Sequence, residues 1–164
     1  MFMEANILEE IYRRYSRELF LYLYTLLRDT SAAEDILQET FLKAFLSLDK
    51  SHPNFRAWLY KVGKNESLNY LKRQQRTVSE ADMEHYQESG SPLDDFLQKE
   101  QNRLLIKALM KLPILSREVL VMQYFFEMPQ REIAEILDLS PGNVRIIVHR
   151  AKKELKKEVE KYEI

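Results

Sequence analysis

Residues 132–145 have the pattern of two short helices joined by a tight turn. The apolar side chains of the first part lie on one helical face, and Ala134 is small enough to let a second helix cross closely. Ser140 can cap the second helix, and Pro141 suits its first position because no backbone N–H is needed there. A helix-turn-helix of this kind places its second helix in the major groove of DNA. The pattern therefore predicts a DNA-binding motif.

The second helix of this motif divides into an apolar face and a basic face. The apolar stripe recurs at helical spacing and consists of Val144, Ile147, Val148, Ala151 and Leu155. The opposite face carries cations that suit phosphates and guanine edges. Ile146 on that face is either an ordinary exposed apolar residue or a contact for a thymine methyl group. The residues predicted to bind duplex DNA are Ser140, Gly142, Asn143, Arg145, Ile146, His149, Arg150 and Lys153.

Composition restricts the fold class and the location. The 164 residues include three glycines, five prolines and no cysteine, which indicates an all-helical protein of one domain or two small ones, without disulfides. No apolar run is long enough to span a membrane, and the charged N-terminal stretch does not suit a signal peptide. We therefore expect a cytoplasmic protein.

The sequence offers little support for catalysis. Its three histidines are scattered, without the spacing of metal ligands and without a nucleophile–base pattern. A phosphate-binding glycine loop is also missing from the sequence. We therefore expect no catalytic residue, no metal site and no cofactor.

Charge is segregated along the chain although the net charge is only −1. Residues 50–76 hold 7 basic and 1 acidic side chains, whereas residues 77–100 hold 1 basic and 7 acidic ones. Two basic surfaces separated by an acidic stretch suit a protein that binds a polyanion. The acidic stretch has little apolar periodicity and contains a turn-rich Ser-Gly-Ser-Pro run. The predicted organisation is a domain at residues 1–76, a flexible acidic linker at 77–100 and a second domain at 101–164.

The first domain is predicted to contain three helices. The first runs from Ile7 to Leu27, and Thr30 or Ser31 can cap the second. One face of the second helix is broadly apolar. The other is either a solvated face with one stray leucine or a protein-docking patch. That face carries Asp35, Gln38, Glu39 and Leu42.

The third helix, which begins near Asn54, mixes cations, amides and aromatic rings. This mixture suits unpaired nucleic acid, because rings stack on bases while cations hold the backbone. Trp58 has two interpretations, as a core residue or as a side chain that helps to hold an unpaired strand open. The candidate residues on this helix are Asn54, Arg56, Trp58, Lys61, Asn65, Asn69, Tyr70, Lys72 and Arg73.

Three stretches taken in order resemble bacterial sigma factors. Residues 33–45 resemble the helix that binds core RNA polymerase, and residues 55–73 resemble the helix that melts and reads the minus-ten element. Residues 112–124 with the helix-turn-helix resemble the domain that reads the minus-thirty-five element. The short linker and the missing additional domains resemble the extracytoplasmic-function group. The resemblance thus implies an all-α chain with a sigma-2-like three-helix module and a sigma-4-like module.

The resemblance also implies the function and the partners. Such a chain binds core RNA polymerase, directs it to promoter DNA and assists strand opening. The acidic face of the second helix would dock on the beta-prime coiled coil, and the second domain would grip the beta flap. Residues 49–54, with Asn65 nearby, would capture a flipped base. An anti-sigma factor is a further implied partner.

Two other classes of protein remain as alternatives. A free-standing helix-turn-helix regulator would need a ligand-binding or dimerisation domain, and the first module offers neither obviously. Footprinting without polymerase would separate this class from a sigma factor. An enzyme is the third and more distant alternative.

Overall fold

A computed structural model describes residues 5–47, 54–77 and 100–162. In these ranges the chain is helical and contains no strand, which confirms the all-α prediction. The elements in chain order are α1 (Ala5–Leu27), α2 (Thr30–Ser47), α3 (Phe55–Thr77), α4 (Glu100–Leu109), α5 (Ile114–Leu120), a π-helical turn (Val121–Phe125), α6 (Gln130–Leu137) and α7 (Pro141–Glu160). No helix in the described ranges is long and apolar enough to cross a membrane.

The helices form two compact units, the first built from α1–α3 and the second from α4–α7. Residues 78–99, most of the predicted linker, lie outside the described residues, as do residues 48–53 before α3. The domain boundaries at residues 76 and 101 therefore stay predictions.

In the first unit each of the three helices packs against the other two. The second half of α1 is buried almost continuously, from Leu21 to Leu27. Gly63 allows α3 to approach α1 closely, since a Cβ atom there would lie 3.1 Å from Cδ2 of Leu23. Lys43 of α2 pairs with Glu66 of α3, which holds these two helices together at their surface.

The N-terminal cap of α2 is Asp29, so the prediction of Thr30 or Ser31 was wrong. The Oδ1 atom of Asp29 accepts a hydrogen bond of 3.2 Å from the backbone N–H of Ala32. Arg28, with a left-handed φ of 58°, ends α1 just before it. The helix therefore begins at Thr30, and Asp29 accepts from one of the free N–H groups of its first turn.

One hydroxyl in the core of the first unit is expected to cost stability. Ser67 is fully buried, and its Oγ atom has no hydrogen-bond partner within the described residues. Because an unsatisfied buried hydroxyl is destabilising, Ser67→Ala should raise the free energy of unfolding by about 1 kcal/mol. Thr40→Val is the control, because the Thr40 hydroxyl donates to the Ile36 carbonyl at 2.8 Å. Thr40→Val should therefore lower the free energy of unfolding measured in urea. A lower free energy of unfolding for Ser67→Ala would contradict the argument.

The second unit is organised around α7, which packs against α4, α5 and α6. Val144, Val148 and Ala151 of its apolar stripe are buried, and Ile147 and Leu155 are half-buried. The predicted amphipathic pattern is thus confirmed. Arg117 of α5 is also buried, and its Nη1 atom donates to the carbonyl of Met110 at the end of α4.

Candidate DNA- and protein-binding surfaces

The turn of the helix-turn-helix is fixed by one left-handed residue and by the predicted cap at Ser140. Asp138 ends α6 in the left-handed conformation, with φ of 56° and ψ of 46°. Ser140 caps α7, since its Oγ atom accepts a hydrogen bond of 3.1 Å from the N–H of Asn143. Pro141 occupies the first turn as expected. These contacts set the start of α7 and therefore which of its side chains face outward.

The outward face of α7 carries every residue that was predicted to bind duplex DNA. Ile146 is 51% exposed. Nothing lies within 4 Å of the position that a Cβ atom on Gly142 would take, so the first turn is open to a ligand. The exposed set on this face is Ser140, Gly142, Asn143, Arg145, Ile146, His149, Arg150 and Lys153. The resulting surface is basic, has one apolar member and is unobstructed within the second unit.

The predicted docking face of α2 is likewise solvent-exposed. Asp35, Gln38 and Glu39 are exposed, and Leu42 is 51% exposed. Leu46, one turn further on, is 53% exposed and extends the same face. Its spacing of four residues from Leu42 was the signal that the sequence analysis passed over. A solvated helix face often carries one exposed leucine, but two adjacent exposed leucines beside two carboxylates favour a protein-docking surface.

On α3 the candidate residues divide into two groups by burial. The exposed ones are Asn65, Asn69, Lys72 and Arg73; the half-buried ones are Asn54, Arg56, Trp58, Lys61 and Tyr70. Asn54 also caps α3, because its Oδ1 atom accepts a hydrogen bond of 3.1 Å from the N–H of Ala57.

Tyr70 lies close to the acidic side of α2. Partial burial raises the pKa of its hydroxyl, and the negative charges of Asp29 and Asp35 raise it further. The structure therefore brings a residue predicted to contact the melted strand near Asp35, which was predicted to bind polymerase.

Arg56 is held by a carboxylate of α1. Its Nη2 and Nε atoms lie 2.6 Å and 2.7 Å from Oε1 of Glu18, and the Tyr60 hydroxyl donates to the same oxygen at 2.7 Å. Burial raises the pKa of Tyr60, and the charge and hydrogen bond of Glu18 raise it further, so the hydroxyl stays protonated and donates. We call these three residues the Glu18 clamp. It fixes the first turns of α3 against α1.

The Glu18 clamp is expected to contribute measurably to stability. The side chains of Arg56 and Glu18 are only 21% and 23% exposed, so removing Arg56 leaves a largely buried carboxylate short of donors. Arg56→Ala should lower the free energy of unfolding by about 1–3 kcal/mol. Arg13→Ala is the matched control, because its ion pair with Glu9 is exposed and should contribute less than about 1 kcal/mol. Urea unfolding followed by circular dichroism measures both; equal effects would argue against the clamp.

The described parts of the chain hold no group of three or more histidine, aspartate or glutamate side chains that could bind a metal ion.

Two family models match the chain. Sigma-70 region 2 matches residues 11–77, and Sigma-70, region 4 matches residues 102–155. The RNA polymerase sigma factor YlaC of Bacillus subtilis (strain 168) is 32% identical over 163 residues, which cover 94% of this chain and 92% of that protein. The chain belongs to the sigma-70 family.

The relatives place this sigma factor in the extracytoplasmic-function (ECF) group. The ECF RNA polymerase sigma factor SigM of the same Bacillus strain is 28% identical over 155 residues, covering 91% of this chain and 93% of that protein.

Solved structures share the fold of this sigma factor. RpoE of Bartonella quintana, solved with the anti-sigma factor NepR, has a TM-score of 0.71 at 22% identity, covering 93% of this chain and 96% of that one. CnrH, solved with the cytosolic domain of CnrY, has a TM-score of 0.69 at 24% identity, covering 96% of this chain and 90% of that one.

In this sigma factor, the region 2 match spans α3 and most of α1, including the Glu18 clamp. Sequence reasoning missed Glu18 because it considered only the apolar residues of this part of α1. A glutamate amid the Leu- and Tyr-rich segment of α1 was the available signal, since a carboxylate there requires a partner.

Proposed function

We propose that this sigma factor binds core RNA polymerase, directs the polymerase to specific promoters and assists strand opening so that transcription begins. The observation that carries the proposal is the exposure of two chemically different surfaces in a chain of this family, the acidic, leucine-bearing face of α2 and the basic face of α7. The chain forms and breaks no covalent bond in this role, because the polymerase supplies the chemistry.

The basic face of α7 is proposed to recognise the upstream promoter element as duplex DNA. Arg145 lies in the second turn of α7, where a helix-turn-helix contacts base edges. An arginine there can donate two hydrogen bonds to guanine O6 and N7. Further along the helix, Arg150 and Lys153 suit the phosphate backbone, which gives affinity without reading sequence.

The exposed amides and cations of α3 are proposed to hold the melted minus-ten strand. Asn65 and Asn69 lie one turn apart and can bond the edges of unpaired bases, while Lys72 and Arg73 hold phosphates. Arg56, which was predicted to contact the melted strand, is instead proposed to act indirectly, because its guanidinium is bound by Glu18 in the Glu18 clamp. Its contribution to promoter opening would then pass through the position of α3.

The face of α2 is proposed to dock on the beta-prime coiled coil of the polymerase. Leu42 supplies an apolar anchor, and Asp35 and Glu39 can steer a basic partner surface. The second unit is proposed to grip the beta flap.

Tethering explains how modest contacts give promoter specificity. Once the chain is bound to polymerase, each DNA contact raises the effective concentration of the other. An anti-sigma factor that masks the docking surfaces is a further proposed partner; the similar RpoE of Bartonella quintana was solved with an anti-sigma factor, NepR. The proposed place of action is the cytoplasm, where polymerase and promoters are located.

The test is reconstitution. The purified chain should co-elute with core polymerase from the source bacterium, and the mixture should give run-off transcripts from a subset of genomic fragments that core polymerase alone ignores. Specific footprints by the chain without polymerase would favour the free-standing regulator instead. Failure to bind the polymerase would refute the proposal.

A further inference from the structure

Three aromatic rings lie in a row where α1 meets the start of α3. The ring centroids of Tyr15 and Phe55 are 6.4 Å apart, and those of Phe55 and Trp58 are 5.9 Å apart. The interplanar angles of 35° and 32° keep the ring faces roughly aligned rather than edge-on. All three residues are half-buried. The row therefore presents aromatic surface to solvent at the edge of the first unit.

The same two helices bury their aromatic residues completely only a few residues further on. Tyr22 of α1 and Tyr60 of α3 have ring centroids 4.8 Å apart and are at most 1% exposed. The α1–α3 interface can thus enclose large rings. Partial exposure of Tyr15, Phe55 and Trp58 therefore marks the edge of the α1–α3 interface, where each ring is partly packed and partly accessible to solvent.

The charges around the row favour a polyanion. Arg14 is exposed, and its guanidinium carbon lies 5.5 Å from the centroid of the Tyr15 ring. The carboxylate of Glu18, one turn along α1, is neutralised by Arg56 within the Glu18 clamp. On α3, Lys61 lies three residues after Trp58, about one turn along the helix. Exposed rings flanked by cations are the arrangement with which proteins bind unpaired nucleic acid.

We propose that Arg14 and Tyr15 extend the proposed binding surface for melted DNA from α3 onto α1. Tyr15, Phe55 and Trp58 form one aromatic platform on which unpaired bases of the opened promoter stack, and Arg14 holds an adjacent phosphate. The occupant is single-stranded DNA rather than a protein segment, because the platform combines flat ring faces with local positive charge. This inference rests on the proposed function and adds α1 residues that the sequence analysis left unassigned.

The experiment uses holoenzyme reconstituted from core polymerase and the full chain on a promoter fragment. 2-Aminopurine is placed at successive non-template positions of the minus-ten region, and its fluorescence is read after strand opening. Tyr15→Leu keeps an apolar contact with Phe55 but removes the ring. Arg14→Gln removes an exposed cation. Arg13→Gln is the matched control, because Arg13 is the neighbouring residue and its side chain is 78% exposed in a pair with Glu9.

With the unaltered chain, stacking should quench 2-aminopurine at one or two positions. Tyr15→Leu should restore that fluorescence and shorten the half-life of heparin-resistant complexes about tenfold. Arg14→Gln should shorten the half-life severalfold, while Arg13→Gln should match the unaltered chain. All three variants should still form holoenzyme and bind the upstream element.

Several outcomes would overturn the platform. One is unchanged quenching and half-life in Tyr15→Leu. A second is an equal loss in Arg13→Gln and Arg14→Gln, which would indicate only diffuse charge. A third is loss of polymerase binding by Arg14→Gln, which would make this part of α1 a protein contact. If the unaltered chain forms no holoenzyme, the proposed function itself fails. If holoenzyme forms but the variants behave as described above, only the platform fails, so the two failures are distinguishable.

Discussion

Changing Asp35 to Asn and Leu42 to Ser together is expected to abolish the association of this sigma factor with core RNA polymerase. Leu42 is 51% exposed in the free chain, and Asp35 lies on the same face of α2 two turns earlier. Loss of an apolar anchor and a steering carboxylate should weaken binding by at least about 2 kcal/mol, or roughly thirtyfold in Kd. Fluorescence anisotropy of labelled chain titrated with core polymerase measures this.

The matched control for this pair is Glu10→Gln. Glu10 is also an exposed carboxylate of the first unit, but it lies on α1 and not on the proposed docking face of α2. It should leave the Kd unchanged. The double variant should unfold in urea with the same midpoint as the unaltered chain, because neither side chain is buried. Unchanged polymerase binding by the folded double variant would remove α2 as the docking helix.

Arg145→Ala is expected to give the largest loss of upstream promoter recognition. If Arg145 makes a bidentate contact with one base, its removal should cost about 1–3 kcal/mol and relax the preference at that position alone. The measurement is competition between promoter variants for limiting holoenzyme. The fold should survive, because Arg145 is exposed and the cap of α7 depends on Ser140.

Lys153→Ala on the same face separates base recognition from phosphate binding. Loss of a phosphate contact should weaken binding about equally for all promoters and should reduce the slope of log K against log salt by about 1. If Arg145→Ala behaves in that way instead, then Arg145 is a phosphate contact. The recognised bases would then have to be sought among its neighbours Asn143 and His149.

The features that sequence reasoning predicted correctly depend on neighbours in the chain. The helix-turn-helix could be recognised because Ser140 and Pro141 fix the start of α7 locally, and because the apolar stripe of α7 repeats at helical spacing. The exposed face of α2 followed from the same periodicity. Such signals lie within one or two turns, so no knowledge of packing was needed.

The features that were missed depend on long-range contacts or on competition between similar residues. Arg56 and Glu18 are 38 residues apart, so nothing local revealed that Arg56 already has an anionic partner. Asp29, Thr30 and Ser31 can all cap a helix, and only the actual start of α2 decides among them. The proximity of Tyr70 to Asp35 likewise arises from the way α3 packs on α2.

Trp58 gives this sigma factor a built-in optical reporter. It is the single tryptophan of the sequence, and it belongs to the first unit. Excitation at the red edge of the absorption band therefore gives tryptophan fluorescence from α3 and none from the second unit. Its indole is half-buried, so loosening of α1 from α3 should shift its emission to longer wavelength. Comparing that emission with the far-ultraviolet dichroism of the whole chain would reveal whether the two units melt together or one after the other.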